Sequence, residues 1–172
     1  MIGFGELLEN EIPSLRRYAR ALKRNSTWAD DLVQSCLLRA LTKSHLWQPG
    51  TNLRSWLFTI MHNVHVNDIR SAARKGIDVA VEDAERFLTI AETQDAKLQL
   101  RDLDRAMAQL SEERRQVILL VGLEGLQYQE VASILGLPVG TVRSRLSRGR
   151  ETLRTLMAPP ETVNDLGARK SA

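Results

Sequence analysis

Arg143, Arg145, Arg148, Arg150 and Arg154, with Thr141, Ser144 and Ser147 between them, fall on one short stretch at helical spacing. A guanidinium is a planar fork that fits a guanine edge or a phosphate, and a hydroxyl positions or reads beside it. The chemistry this set could do is recognition of DNA, with no bond made or broken. Wound at about 100° per residue, Val142, Leu146, Leu153 and Leu156 share a narrow apolar face with Gly149 beside them. Thr141, Ser144, Ser147 and Arg148 point the other way, and Arg143, Arg145, Arg150 and Arg154 flank the seam. Any surface helix has a charged outer face. Here the turn chemistry, the spacing and five arginines without a lysine select the DNA-facing reading.

The element that must position this helix lies just before it. Two helical patterns in Tyr128–Arg150 are broken by Gly136-Leu137-Pro138. Gly136 suits the positive φ that ends a helix, and Pro138 is pre-set for the first turn of the next. Ala132, Gly136 and Val142 supply the small crossing residue, the turn glycine and the β-branched anchor of a helix-turn-helix.

A second group of interest is His62, Asn63, His65, Asn67, Asp68, Arg70, Arg74 and Lys75, all within fourteen positions. The two histidines stand three apart, but with no cysteine nearby and no carboxylate in the pattern a metal site is a poor reading. Polar surface is the default. Amides near a basic helix end also hydrogen-bond exposed base edges, so nucleic-acid contact stands level with it. The carrier is a helix from Leu53 to about Lys75, apolar on Leu53, Trp56, Leu57, Ile60, Met61 and Val64.

The rest of the chain reads as further helices. Residues 4–24 keep helical spacing on Leu7, Leu8, Ile12, Leu15, Ala19 and Leu22, with a break expected near Pro13. Their basic outer face serves equally as a solvated surface or a phosphate contact. Thr27-Trp28-Ala29-Asp30 resembles a capping box for a helix over 28–44, built on Ala29, Leu32, Val33, Cys36, Leu37, Ala40 and Leu41. Residues 96–109 form a short amphipathic helix, Ser111 caps another, and that one ends around Gly122–Gly125. The expected fold is all-α: two small helical domains, 5–76 and 96–158, joined by a flexible acidic linker over 77–95, with a disordered tail over 159–172.

Charge agrees with that division. The net charge of +3 over 172 residues resolves into +5 for residues 1–76, −4 for 77–100 and +2 for 101–158. Two basic blocks around an acidic strip suggest two nucleic-acid-facing modules. The single cysteine, Cys36, excludes an internal disulfide and reads as a small buried hydrophobe. No apolar run approaches the ~20 residues of a membrane span, and the N-terminus lacks a signal peptide's layout. A cytoplasmic protein without cofactor, metal or catalytic residue is expected.

These motifs together resemble a known family. Leu110-Ser111-Glu112-Glu113, Glu124-Gly125-Leu126-Gln127-Tyr128-Gln129-Glu130-Val131-Ala132 and Pro138-Val139-Gly140-Thr141-Val142-Arg143-Ser144-Arg145 resemble region 4 of bacterial extracytoplasmic function (ECF) sigma factors. Ala29-Asp30-Asp31-Leu32-Val33-Gln34, Asn52-Leu53-Arg54-Ser55-Trp56-Leu57-Phe58-Thr59-Ile60, Asn63 and Asp68-Ile69-Arg70 resemble region 2. The resemblance implies core RNA polymerase as partner, through the β′ clamp helices and the β flap, with Asp30, Asp31, Leu32, Val33, Gln34, Leu37 and Arg39 on the region 2 contact. It implies −10 promoter contacts from His62, Asn63, Asn67, Arg70 and Arg74. It implies −35 contacts from Thr141, Arg143, Ser144, Arg145, Ser147 and Arg148. It also implies a monomer held by an anti-sigma factor until a stress signal. Val121 stands where some members carry an arginine toward the −35 DNA, and Ser147 where some carry a bulkier side chain. Rival readings are a dimeric stand-alone helix-turn-helix regulator, a sigma-like decoy for an anti-sigma factor, and a recombinase-type enzyme, whose nucleophile Tyr18 and Tyr128 are poorly placed to supply.

Overall fold

The computed structural model describes residues 3–75 and 94–158. Within them the order is α1 (Phe4–Lys23), α2 (Ser26–Thr42), a single 3₁₀ turn (Ser44–Leu46), α3 (Leu53–Lys75), α4 (Gln94–Ala108), α5 (Glu112–Ile118), a π-helical turn (Leu119–Leu123), α6 (Tyr128–Leu135) and α7 (Val139–Leu156), with no strand among the described residues. The expected linker over 77–93 and the expected disordered tail lie outside the described residues; 94–95 already belong to α4.

Pro13 does not break α1, which runs on through it. Proline removes one helical hydrogen bond. Pro13 is exposed, so the carbonyl it leaves free faces water, while buried Leu8 and Leu15 anchor the turns on either side. The chain then reverses at Arg24, whose φ of 53° is left-handed. Asn25 rather than Thr27 caps α2, its Oδ1 accepting from the Trp28 amide at 3.0 Å. Asn52 Oδ1 does the same for α3, accepting from the Ser55 amide at 3.1 Å.

Leu15, Leu32, Cys36, Leu57, Phe58 and Met61 fill the core of the N-terminal unit, with Tyr18 edge-on to Phe58 at 5.2 Å. Cys36 is buried as expected; it lies 3.5 Å from the Leu57 carbonyl and burial pushes its thiol up to about 12. In the C-terminal unit Val117, Leu120, Val131, Val142 and Leu146 are buried. Arg115 closes α4 by donating to the carbonyls of Met107, Ala108 and Leu110 at 3.0–3.2 Å. The two units are not separate bodies: one apolar cluster runs from the α1–α3 core through Leu119, Leu120 and Leu126 to Val142 and Leu146.

Gly136 ends α6 at φ 64°, as the turn requires, and Pro138 precedes the first turn of α7. Gly149 lets α7 lie against α5: a Cβ there would sit 2.6 Å from Ile118 Cδ1 and 3.5 Å from Arg114 Cβ. Gly149→Ala should therefore lower stability by about 1–2 kcal/mol through overpacking. Adding Ile118→Val should recover most of it. Urea unfolding midpoints of the single and double variants check both.

Candidate nucleic-acid interface

α7 presents Arg143, Ser144, Ser147 and Arg148 fully outward, and Thr141 half-buried at its first turn. The Ser144 hydroxyl donates to the Thr141 carbonyl at 3.0 Å, which leaves its oxygen free to accept from a donor such as a base amino group. The Arg143 guanidinium lies 5.9 Å from the Tyr128 ring, which braces it at the mouth of the helix-turn-helix. Arg145 is different. It is half-buried and ion-paired to Glu113 of α5 at 3.1 Å, so it reaches DNA only by leaving that partner. Leu156, expected on the inner face, is exposed at the frayed end of α7.

On α3, Asn63, Asn67, Arg70 and Arg74 are all exposed and recur at i, i+4, i+7 and i+11, which sets them on one stripe. Asn67, Arg70 and Arg74 line a shallow depression with Ala73. His62 is not part of that stripe. It is half-buried toward Gln116 and Glu112 of α5, and burial, then the neighbouring His65, hold its value below the ordinary one. His65 is buried outright and hydrogen-bonds Glu112, which also accepts from Gln116 at 3.0 Å. Polar surface is thus the wrong description of both histidines: they face the other unit, away from the exposed stripe of Asn63, Asn67, Arg70 and Arg74.

On α2, Asp30, Asp31, Gln34 and Arg39 are exposed and Leu37 is half-buried. Leu32 and Val33 are core residues and offer no surface, because the apolar period that makes the helix also turns them inward. Leu38, outside the apolar period, and Leu41, which that period placed on the inner face, stand 67% and 53% exposed beside Leu37 and Arg39. The signal for them was an excess of leucine over what one face of α2 can bury.

A further site joins the units. The π-helical turn, closed by Glu124 N–H to the Leu119 carbonyl at 3.0 Å and Leu126 N–H to the Leu120 carbonyl at 3.0 Å, drives Glu124 inward. Its carboxylate has no exposure and takes a fork from Arg17, Nε to Oε1 at 3.0 Å and Nη2 to Oε2 at 2.7 Å. Arg54 Nη2 reaches the same Oε2 at 2.5 Å and the Glu124 carbonyl at 3.1 Å. Glu130 closes the first turn of α6 by accepting from the Gln127 amide, and also takes Asn52 at 2.6 Å and Ser55 at 3.1 Å from the first turn of α3.

With this geometry the chain can be compared with known proteins. The family described as "Sigma2 domain of PhyR" matches residues 8–62, and "Sigma-70, region 4" matches residues 100–153. The ECF RNA polymerase sigma factor EcfG of Rhodopseudomonas palustris is 40% identical over 150 residues, 85% of this chain and 80% of that one. This chain is an ECF sigma factor. The ECF sigma factor SigE of Mycolicibacterium smegmatis is 32% identical over 92% of the chain and 63% of its own length. The sigma factor RpoE of Bartonella quintana, solved in complex with the anti-sigma factor NepR, is similar with a TM-score of 0.77 and 34% identity over 89% of this chain and 95% of that one. As a member of this family the protein is a transcription initiation factor that binds core RNA polymerase and directs it to promoter DNA. The region 2 match spans most of α1, all of α2 and the first part of α3, and the region 4 match runs from within α4 into α7. No helix among the described residues is long and apolar enough to cross a membrane.

The contact between the regions should depend on pH, with a definite sign. His62 is held below its ordinary value of 6.5 and Glu112 below its ordinary 4.5, the latter first by the hydrogen bond with His65. Both bind fewer protons folded than unfolded, so their contribution is full above those ordinary values and lost as pH falls through the folded ones. Melting temperature should fall as pH drops from about 7.5 to about 5, and His62→Asn should flatten the upper part of that slope. Circular dichroism melts across a pH series check it.

Proposed function

We propose that the sigma factor grips promoters through two outward stripes and polymerase through a third. Arg143, Ser144, Ser147 and Arg148 of α7 read the −35 duplex in the major groove, with Arg145 joining once it leaves Glu113. Asn63, Asn67, Arg70 and Arg74 of α3 hold the −10 element, where the amides take an unstacked base and the arginines take phosphate. Asp31, Gln34, Leu37 and Arg39 of α2, extended by exposed Leu38 and Leu41, meet the clamp helices of core polymerase. The observation that carries the reading is that α7 and α3 each turn a cationic, amide- or hydroxyl-bearing stripe to solvent in the segments that match, or directly follow, the sigma region 4 and region 2 patterns.

The chain works in the cytoplasm, forms no covalent intermediate and needs no cofactor. Each module binds DNA weakly alone, and docking on polymerase makes the two contacts one bivalent event. An anti-sigma factor covers the chain when it is idle, a reading supported by the likeness to a sigma factor solved with one.

Arg143→Ala should cost roughly 1–3 kcal/mol of −35 discrimination, read as run-off transcription by reconstituted holoenzyme on promoters with intact and altered −35 elements. Equal transcription by parent and variant would remove Arg143 from the reading helix. Leu38→Glu should weaken capture by core polymerase without changing helical content. Unchanged capture in a pull-down would clear α2 of that role.

A further inference from the structure

The face of α7 that carries Thr141, Ser144 and Arg148 continues at helical spacing through Glu151, Thr152 and Thr155. There it stops being the surface of one helix. Arg114 of α5 shares a shallow depression with Arg148, Glu151, Thr152 and Thr155. Gly149 is what lets the two helices come this close: a Cβ there would lie 3.5 Å from the Arg114 Cβ. A cation of α5 thereby stands beside the end of the DNA-reading stripe.

The four arginines around this junction are not equivalent. Arg115 spends its guanidinium on the carbonyls of Met107, Ala108 and Leu110, and Arg145 pairs with Glu113. Among the described residues the guanidiniums of Arg114 and Arg148 make no ion pair and no hydrogen bond, and Glu151 on the same rim pairs with neither. The Thr152 and Thr155 hydroxyls donate to the Arg148 and Glu151 carbonyls at 2.9 and 3.1 Å, so neither offers a proton to a ligand. What the depression offers is two guanidiniums that repel each other and share no counter-charge. An anion set between them replaces that repulsion with charge-assisted hydrogen bonds, and phosphate fits the guanidinium fork.

Position along the helix identifies the anion. A helix-turn-helix lays the N-terminal part of its second helix against base edges. Arg148 and the residues after it then leave the groove where the sugar–phosphate backbone borders it, and half or more of protein–DNA hydrogen bonds go to that backbone. We infer that Arg114 of α5 and Arg148 of α7 together grip one backbone phosphate at the edge of the −35 element, so that α5 as well as α7 sets the register of the reading helix. Arg114 is a positioning residue and carries no sequence information itself. The inference rests on the −35 reading proposed above.

The test uses reconstituted holoenzyme and promoter duplexes across a salt series. Arg114→Met keeps the aliphatic stem and removes the charge. It should weaken binding roughly tenfold on intact and altered −35 sequences alike, and lower the slope of log affinity against log salt by about 1. Arg114→Lys should keep that slope, because an ammonium also neutralises a phosphate. Glu151→Gln, which removes the acid from the rim, should tighten binding. Replacing single −35 phosphates by uncharged methylphosphonate should reveal one position that weakens the parent roughly tenfold and leaves Arg114→Met unaffected. Parent affinity and salt slope in Arg114→Met, or phosphate losses that add in full to the substitution at every position, would overturn the inference. If the parent holoenzyme binds intact and altered −35 sequences equally, the sequence-reading proposal fails, and the phosphate scan still decides the shared contact.

Discussion

A carboxylate with no exposure to water is the constraint around which the two regions are arranged. Burying an ion costs several kcal/mol, and the cost is recovered only where geometry and additional hydrogen bonds are good. Glu124 meets that condition with a two-point fork from Arg17 and a short contact from Arg54, which also stacks over Phe58 at 5.8 Å and lies 3.9 Å from Glu11. The π-helical turn after α5 is what delivers it: an ordinary α-helical end would leave residue 124 on a different bearing. Glu130 works similarly at smaller scale, serving the first turns of α3 and α6 at once, where two helix dipoles both favour negative charge.

Such an interface differs from a domain core in how it lets go. The apolar contacts that hold α1, α2 and α3 together have no good alternative in water. The ion pairs between region 2 and region 4 do have one, since each charged group can be rehydrated. The apolar cluster that continues from α1–α3 through Leu119, Leu120 and Leu126 has no such alternative, so parting the regions costs more than breaking their ion pairs. The stripes of α3 and α7 proposed to meet DNA are exposed while the two regions are packed together.

The sequence made some of this legible and not the rest, for physical reasons. The helix-turn-helix was readable because its signals are local: Gly136 needs a left-handed φ, Pro138 favours a first turn, and Val142 and Leu146 repeat at helical spacing. The extent of α3 followed from its apolar arc. Pro13 misled, because a proline on the solvent side of a helix anchored on both flanks by buried leucines costs one bond and no more. Leu32 and Val33 were assigned to a contact surface that their own periodicity denies them, while Leu38 fell outside the period and Leu41, inside it, lies exposed near the end of α2. The contact at Glu124 was invisible: Arg17 and Glu124 are separated by 107 positions and Arg54 and Glu124 by 70, and helical spacing carries no information at that range. His65 looked like surface because its partner Glu112 lies 47 positions away.

The central claim is that one compact, self-closed chain becomes a two-handed grip on the promoter. Spin labels on the exposed faces of α2 and α7, read by pulsed electron resonance in the free chain and in the holoenzyme–promoter complex, measure the relevant distance directly. The account predicts one short, narrow distance in the free chain and a much longer one in the complex. The same distance in both states, or a broad long distribution in the free chain, would contradict it.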